Sequence, residues 1–357
     1  MTMAPTVDLD DPAALAAADP EGMLAEVAAL GSQLRRGFQT AAAVPDLPSG
    51  TGVREVVVCG MGGSGVAGDV TRALYADRLG VPVVVVKGYR LPEFAGRDTL
   101  VFAVSFSGNT EETLAAYAEA TERGCRVVAV SAGGELAARA AEDDAAYVPV
   151  PPEVPMPRAA IGYLATAPLG VLDAVGLVPP AGEEVLRAAG ELDALAGELG
   201  PGATTATNEA KAMAGWIGGR TPVIWGSEGI AEAAALRWRT QVNENAKGPA
   251  FWNALSELDH NEIEGWAAGS GAPYALVVLR HGGEHPRTAP RLEATLAAIQ
   301  GSGLEHQEVW ARGGSPLAQL FSLVMLGDFA SAYLGILRGV DPMPVPVLMS
   351  LKERLRS

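Results

Sequence analysis

Three hydroxyl-bearing residues crowd one short stretch of this chain. Val101–Thr113 reads VFAVSFSGNTEET, a buried strand that runs into Ser105-Phe106-Ser107-Gly108-Asn109-Thr110 and then into a helix. A helix start leaves N–H groups without intrahelical partners, and the helix dipole favours negative charge there. Ser105, Ser107 and Thr110 add hydroxyls, and no Lys or Arg lies within the loop. Such a loop suits a small phosphate held by hydroxyls and amides. The plain alternative is a capped helix, with Ser107, Asn109 and Thr110 as caps and Glu112 completing a capping box.

A second polar cluster joins Asn243-Glu244-Asn245-Ala246-Lys247 to Asp259-His260-Asn261-Glu262-Ile263-Glu264-Gly265-Trp266. A carboxylate and an imidazole are the parts that general acid–base catalysis uses. A solvated helix face could carry the first run without any chemistry. The second mixes a His with amides and a Trp where a helix pattern gives way to a loop. Arg158 follows the run PPEVPMP. In an exposed crossing it is a solvated charge; between two halves of the molecule it could stabilise a developing oxyanion.

Two further motifs lose their first meaning. Gly60-Met61-Gly62-Gly63-Ser64-Gly65 fits G-x-G-x-x-G between a strand and a helix, which suggests a dinucleotide site. The ribose-binding acid should then close the next strand, but that strand ends in Lys87-Gly88-Tyr89. Val66 stands where a Walker A loop needs Lys. What survives is a loop whose glycines let backbone N–H groups approach a substrate closely. His281-Gly282-Gly283-Glu284-His285 matches the zinc pattern H-x-x-E-H. That chemistry needs both His on one helical face, and two glycines with Pro286 place them in a turn.

The elements that must position these groups alternate. EVVVC, VPVVVVK, LVFAVSF and CRVVAVS read as strands with helices between them, and AAYVPVP closes the unit. Such alternation predicts a parallel sheet covered on both faces, with ligands outside the carboxyl ends of its strands. The pattern returns in TPVIWGSEG, YALVVLRHGG and EHQEVW, which predicts an internal duplication over about residues 50–150 and 205–340. The expected class is α/β, with two tandem αβα sandwiches. Five segments are expected: a helical segment at 1–48, a first domain at 49–152, a Pro-rich crossing and helical linker at 153–204, a second domain at 205–340 and a C-terminal helical segment at 341–357 that closes the active site.

With 357 residues and 48% apolar content, the chain can bury two cores. Its 26 basic and 42 acidic residues leave a net charge of −16, which argues against nucleic acid or an anionic membrane as partner. Two cysteines, Cys59 and Cys125, make no disulfide framework and suit a reducing compartment. The start MTMAPTVDLDDPAAL lacks the basic and apolar regions of a signal peptide, and no run reaches the ~18 apolar residues of a span. A cytoplasmic protein is expected.

Taken in order, GMGGSGVAGD, SFSGNTEET, PRAAIGY, NENAKGPAFWNAL, HNEIEGW and DPMPVPVLMSLKERL resemble the bifunctional phosphoglucose/phosphomannose isomerases of the sugar-isomerase (SIS) superfamily. The resemblance runs from about Val53 to Leu355. It implies two SIS domains, a homodimer, a phosphorylated sugar as substrate and no cofactor or metal. It also implies roles: Gly62, Gly63 and Ser64 contact the sugar chain, while Ser105, Ser107 and Thr110 hold the 6-phosphate. Arg158 stabilises an enediolate, Glu244 moves the proton between C1 and C2, and Lys352 helps at the ring oxygen. His260 assists ring opening from the other subunit.

Two positions depart from the family pattern. Met343 stands where the family tends to Thr, which puts the balance between glucose and mannose epimers in question. Asp259 stands where Asn is expected, and an acid beside His260 should raise the pKa of the imidazole.

Two other functions stay open at this point. A non-catalytic phosphosugar sensor would need the phosphate loop but not Arg158, Glu244, His260 and Lys352 together. A dinucleotide oxidoreductase is disfavoured by Lys87.

Overall fold

A computed structural model of the protein describes residues 7–356. In chain order, α1 (Pro12–Ala18), α2 (Met23–Ala28) and α3 (Leu30–Ala42) precede a first alternating run. That run is β1 (Glu55–Cys59), α4 (Gly62–Tyr75), β2 (Val83–Val86), β3 (Thr99–Val104), α5 (Glu111–Glu122), β4 (Arg126–Ser131), α6 (Gly134–Glu142) and β5 (Ala146–Pro149). Then come α7 (Ile161–Ala174), α8 (Gly182–Leu199) and α9 (Glu209–Ile217). The second run holds β6 (Thr221–Gly226), α10 (Ile230–Asn245), β7 (Phe251–Ala254), a 3-10 turn (Glu257–His260), α11 (Glu262–Ala267), β8 (Tyr274–Arg280), α12 (Thr288–Ala298) and β9 (Glu305–Trp310). Finally α13 (Pro316–Leu337) and α14 (Pro346–Arg356) follow.

The chain forms two compact units. One comprises Ala29–Asp193 with Arg312–Phe321; the other comprises the chain up to Ala28, Ala194–Ala311 and the chain from Ser322 onward.

The first unit is built on a sheet of order β2-β1-β3-β4-β5, with every pair parallel. Its central strands carry unbroken apolar runs because helices cover both faces. β3 is buried along its whole length. On one face Val57, Val101, Ala103 and Ala129 pack with Tyr117 of α5 and Leu136 of α6. Helix α7 is buried over nearly all of its length. Its start is clamped by the buried Gln33 of α3, whose Nε2 donates to Ala159 O at 2.7 Å and whose Oε1 accepts from Gly162 N at 3.1 Å.

The second unit is built on a sheet of order β7-β6-β8-β9, again wholly parallel. Its strand order coincides with β2-β1-β3-β4, as the inferred duplication requires. Trp225, Leu276 and Val278 form its core with Leu258 and Leu292. The expectation that no run is long and apolar enough for a span is corrected by α13, which passes by length and composition, yet 94% of its most apolar window is buried. Helices apolar all round also serve as core helices. Here α10 is fixed to α13 by the buried pair Arg237–Asp328, with Nη2 to Oδ2 at 2.6 Å and Nε to Oδ1 at 3.0 Å. Trp238 Nε1 donates to Leu323 O at 2.7 Å.

Strand β7 was not among the strands expected from the sequence. It is four residues long, contains Asn253 and Ala254, and its residues are exposed or half-buried. Such a short edge strand has no apolar alternation to reveal it.

Candidate active site

In the first unit, β1 lies between β2 and β3, so the chain leaves β1 and β3 in opposite directions across the sheet. Ligands of open α/β sheets bind outside the carboxyl ends of strands at such a switch point. The two loops singled out in the sequence both lie there.

After β3, Ser105 is fully buried, and its N–H donates to Val130 O at 3.0 Å. Its hydroxyl sits 2.9 Å from the Thr110 hydroxyl. Thr110 occupies the N-cap of α5 yet makes no side-chain capping bond, so the capping box with Glu112 does not form. Ser107 is exposed, and its hydroxyl accepts from Asn109 N at 3.2 Å. Asn109 serves a different helix: its Oδ1 accepts from Glu135 N of α6 at 3.0 Å. The hydroxyls of this loop are therefore not accounted for by capping α5. Gly108 lets the loop settle on the β4–α6 turn; with φ at +68°, a Cβ there would lie 1.8 Å from Gly133 O. Leu136 N donates to Gly108 O at 2.9 Å across the same junction.

The glycine-rich loop after β1 starts α4 at Gly62. Buried Ser64 joins the two loops, its hydroxyl accepting from Phe106 N at 3.1 Å. Gly63 permits a close approach, since a Cβ there would lie 3.1 Å from both Arg158 N and Pro157 C. Arg158 is thus anchored through its backbone beside the glycine-rich loop, and it is only 3% exposed. The solvated-charge alternative for Arg158 does not hold. Gln33, which grips Ala159 and Gly162, steadies this segment. Nothing in the sequence distinguished Gln33 from other polar residues of an amphipathic helix. Lys87, which closes β2, pairs with Asp69 of α4 at 2.5 Å.

In the second unit, Glu244 lies in the last turn of α10 and is half-buried. The α10 terminus is held from several directions. Lys247 Nζ donates to Glu244 O and, at 3.1 Å, to Pro342 O. Asn245 Nδ2 donates to Ser331 Oγ at 2.9 Å, and Asn243 Nδ2 to Gly248 O at 2.9 Å. Met343, next to Pro342, is fully buried.

His260 ends the 3-10 turn and is exposed. Both carboxylate oxygens of its neighbour Asp259 turn to α12. Asp259 Oδ2 takes Arg291 Nη1 at 3.0 Å and Oδ1 takes Thr295 Oγ1 at 2.8 Å. Glu262 gives the rest of the polar run a structural task. It accepts from Trp225 Nε1 and Trp266 Nε1, each at 2.9 Å, and from Asn253 Nδ2 at 2.7 Å. Lys352 lies exposed on α14.

His281 and His285 lie in the turn after β8, as two glycines and a proline imply. Both ring nitrogens of His281 are engaged with backbone: Nε2 is 3.0 Å from Glu228 O, and Nδ1 accepts from Gly283 N at 3.2 Å. Among the described residues, no group of three or more His, Cys, Asp or Glu side chains could hold a metal ion. Cys59 and Cys125 are both free thiols. Burial above all pushes the Cys59 thiol up to about 12, which leaves it an inert apolar filler.

Comparison with known proteins agrees with this architecture. Residues 51–177 match the SIS domain, and residues 206–355 match the bacterial phospho-glucose isomerase C-terminal SIS domain. The two parallel sheets and their terminal loops thus define a double-SIS protein. A bifunctional phosphoglucose/phosphomannose isomerase of Caldicellulosiruptor bescii is 35% identical over 309 residues, 85% of this chain and 90% of the relative. Its counterpart in Aquifex aeolicus is 33% identical over 308 residues, 86% of this chain and 92% of the relative. The crystal structure of a glucose-6-phosphate isomerase like protein from Thermus thermophilus has the same fold. It aligns with a TM-score of 0.61 at 21% identity, covering 96% of this chain and 99% of that one. The chain belongs to the bifunctional phosphoglucose/phosphomannose isomerase family.

Proposed function

We propose that the protein interconverts glucose 6-phosphate, mannose 6-phosphate or both with fructose 6-phosphate, without a metal, through a cis-enediolate. The observation that carries this reading is the hydroxyl loop at the start of α5. Ser105 and Thr110 pair with each other and leave α5 uncapped by side chains, an arrangement that suits a phosphate. The family relatives supply the reaction class.

Each step has a group of suitable chemistry. The backbone of Gly62 and Gly63, with Ser64, binds the sugar chain while Ser105, Ser107 and Thr110 hold the 6-phosphate. His260 of the partner subunit in a homodimer, with Lys352, promotes ring opening. The Glu244 carboxylate then takes the proton from C2 of the open-chain aldose. The C–H electron pair becomes the C1–C2 double bond, and the carbonyl oxygen gains the negative charge. Arg158 stabilises that enediolate. Glu244 returns the proton to C1 while the hydroxyl at C2 becomes the ketone and passes its proton to the C1 oxygen, which ends as the C1 hydroxyl.

The test is a coupled assay of fructose 6-phosphate formation in EDTA, with glucose 6-phosphate and mannose 6-phosphate offered separately. Turnover of both supports a bifunctional enzyme that tolerates Met343. Turnover of one points to the surroundings of Met343 as the origin of a narrowed preference. Tight phosphosugar binding without turnover overturns the enzymatic reading in favour of a sensor.

A further inference from the structure

The two sheets share a strand order, so β8 holds the place in its sheet that β3 holds in the other. After β3 the chain presents hydroxyls and a helix start. After β8 it presents something different. Arg280, the last residue of β8, grips Glu284 four residues on, with Nε to Oε1 at 2.7 Å and Nη2 to Oε2 at 2.6 Å. Oε1 also accepts from His281 N at 3.2 Å. Buried Ser227, just after β6, turns its hydroxyl to Leu279 O of β8 at 3.4 Å. The side chains of Arg280 and Glu284 are 5% and 9% exposed. Trp310 covers the guanidinium, 4.6 Å from its ring centre, and Glu308 takes the remaining edge at 2.7 Å.

An Arg fork and a backbone N–H at the carboxyl end of β8 are donors a phosphate would use. Guanidinium geometry matches carboxylate and phosphate alike. Gly282 and Gly283 separate Glu284 from the strand end, and this short flexible tether lets the carboxylate fold back onto Arg280. We propose that Glu284 is a resident anion, occupying an anion site of the second sheet that would otherwise take inorganic phosphate or a phosphomonoester. The duplicated fold then keeps two anion positions, and one of them is closed by the chain itself.

The probe is radiolabelled inorganic phosphate, titrated to saturation against the full-length protein by equilibrium dialysis at constant ionic strength. Glu284→Ala should bind one phosphate per chain more than the unaltered protein. The further change Arg280→Met in that variant should remove the increment. The increment is read by difference, so it stands apart from the phosphate loop of the first sheet: failure of that loop would lower both totals equally. An unchanged phosphate count in Glu284→Ala overturns the proposal, and so does an increment that survives the loss of Arg280. Should Glu284→Ala lose its cooperative thermal transition, Glu284→Ser decides instead. It keeps a polar side chain but is too short to reach Arg280, so an added phosphate is again expected, and its absence refutes the idea.

Discussion

Thr110→Val separates phosphate binding from helix capping at one residue. Valine replaces the hydroxyl with a methyl of similar size. Among the described residues the Thr110 hydroxyl bonds Ser105 Oγ at 2.9 Å and makes no capping bond to the first turn of α5. Losing that neutral bond costs about 0.5–1.5 kcal/mol of stability. A hydroxyl donating to a phosphate dianion is worth more, about 1.5–3 kcal/mol for a bond to a charged group. At about 1.4 kcal/mol per tenfold, the substrate should bind roughly 10- to 150-fold more weakly. The phosphate takes no part in the bond changes, so the loss falls on ground and transition states alike. KM should rise by that factor with kcat little changed. Steady-state kinetics on both hexose phosphates, with a thermal melt on the same preparations, reads both quantities. A KM within twofold of the unaltered protein would mean that the Thr110 hydroxyl does not hold the phosphate, whatever the stability change.

Other outcomes follow from the same geometry. Glu244→Gln should abolish turnover and leave phosphosugar binding intact by calorimetry; retained turnover would remove Glu244 as the base. Asp328→Ala strips the buried Arg237 of its carboxylate, and denaturant unfolding should show a loss of about 3–5 kcal/mol, with Arg237→Met/Asp328→Leu recovering most of it. Equal losses in the single and double variants would contradict that. Glu284 gives a pH signature. Burial pushes its carboxyl up, but the hydrogen bonds and the charge of Arg280 outweigh it, leaving the folded-state pKa below the ordinary 4.5. A depressed carboxyl contributes stability that is fully present above the unfolded value and lost as pH falls through the folded one. The stability gap between the protein and Glu284→Gln should therefore be widest above about pH 4.5 and shrink on acidification. A gap independent of pH would refute the assignment.

Much of the fold was legible because its signals are local. Buried parallel strands must be continuous apolar runs, and β1, β3, β4, β6 and β8 announce themselves that way. The positions of the loops after β1 and β3 were equally readable, since glycines and hydroxyls clustered there where an apolar run gives way to a helix pattern. β7 was not, because four half-covered edge residues need no pattern. The partners of Asp259 were not legible either: neighbours in sequence can point to different elements, and this carboxylate hydrogen-bonds to α12.

The order of strands, loops and helices, the repeat of that order and the family likeness were all written in residue types and spacing, because backbone periodicity and turn chemistry act over a few residues. The tertiary structure decided which polar groups spend themselves on one another. Arg158 proved buried against Gly63 rather than solvated. Glu262 proved a hub for two tryptophans, and Glu284 a partner of Arg280 rather than part of a zinc motif. Those outcomes depend on burial and on contacts between distant segments, and desolvation sets the worth of every polar group only once the chain has closed around it.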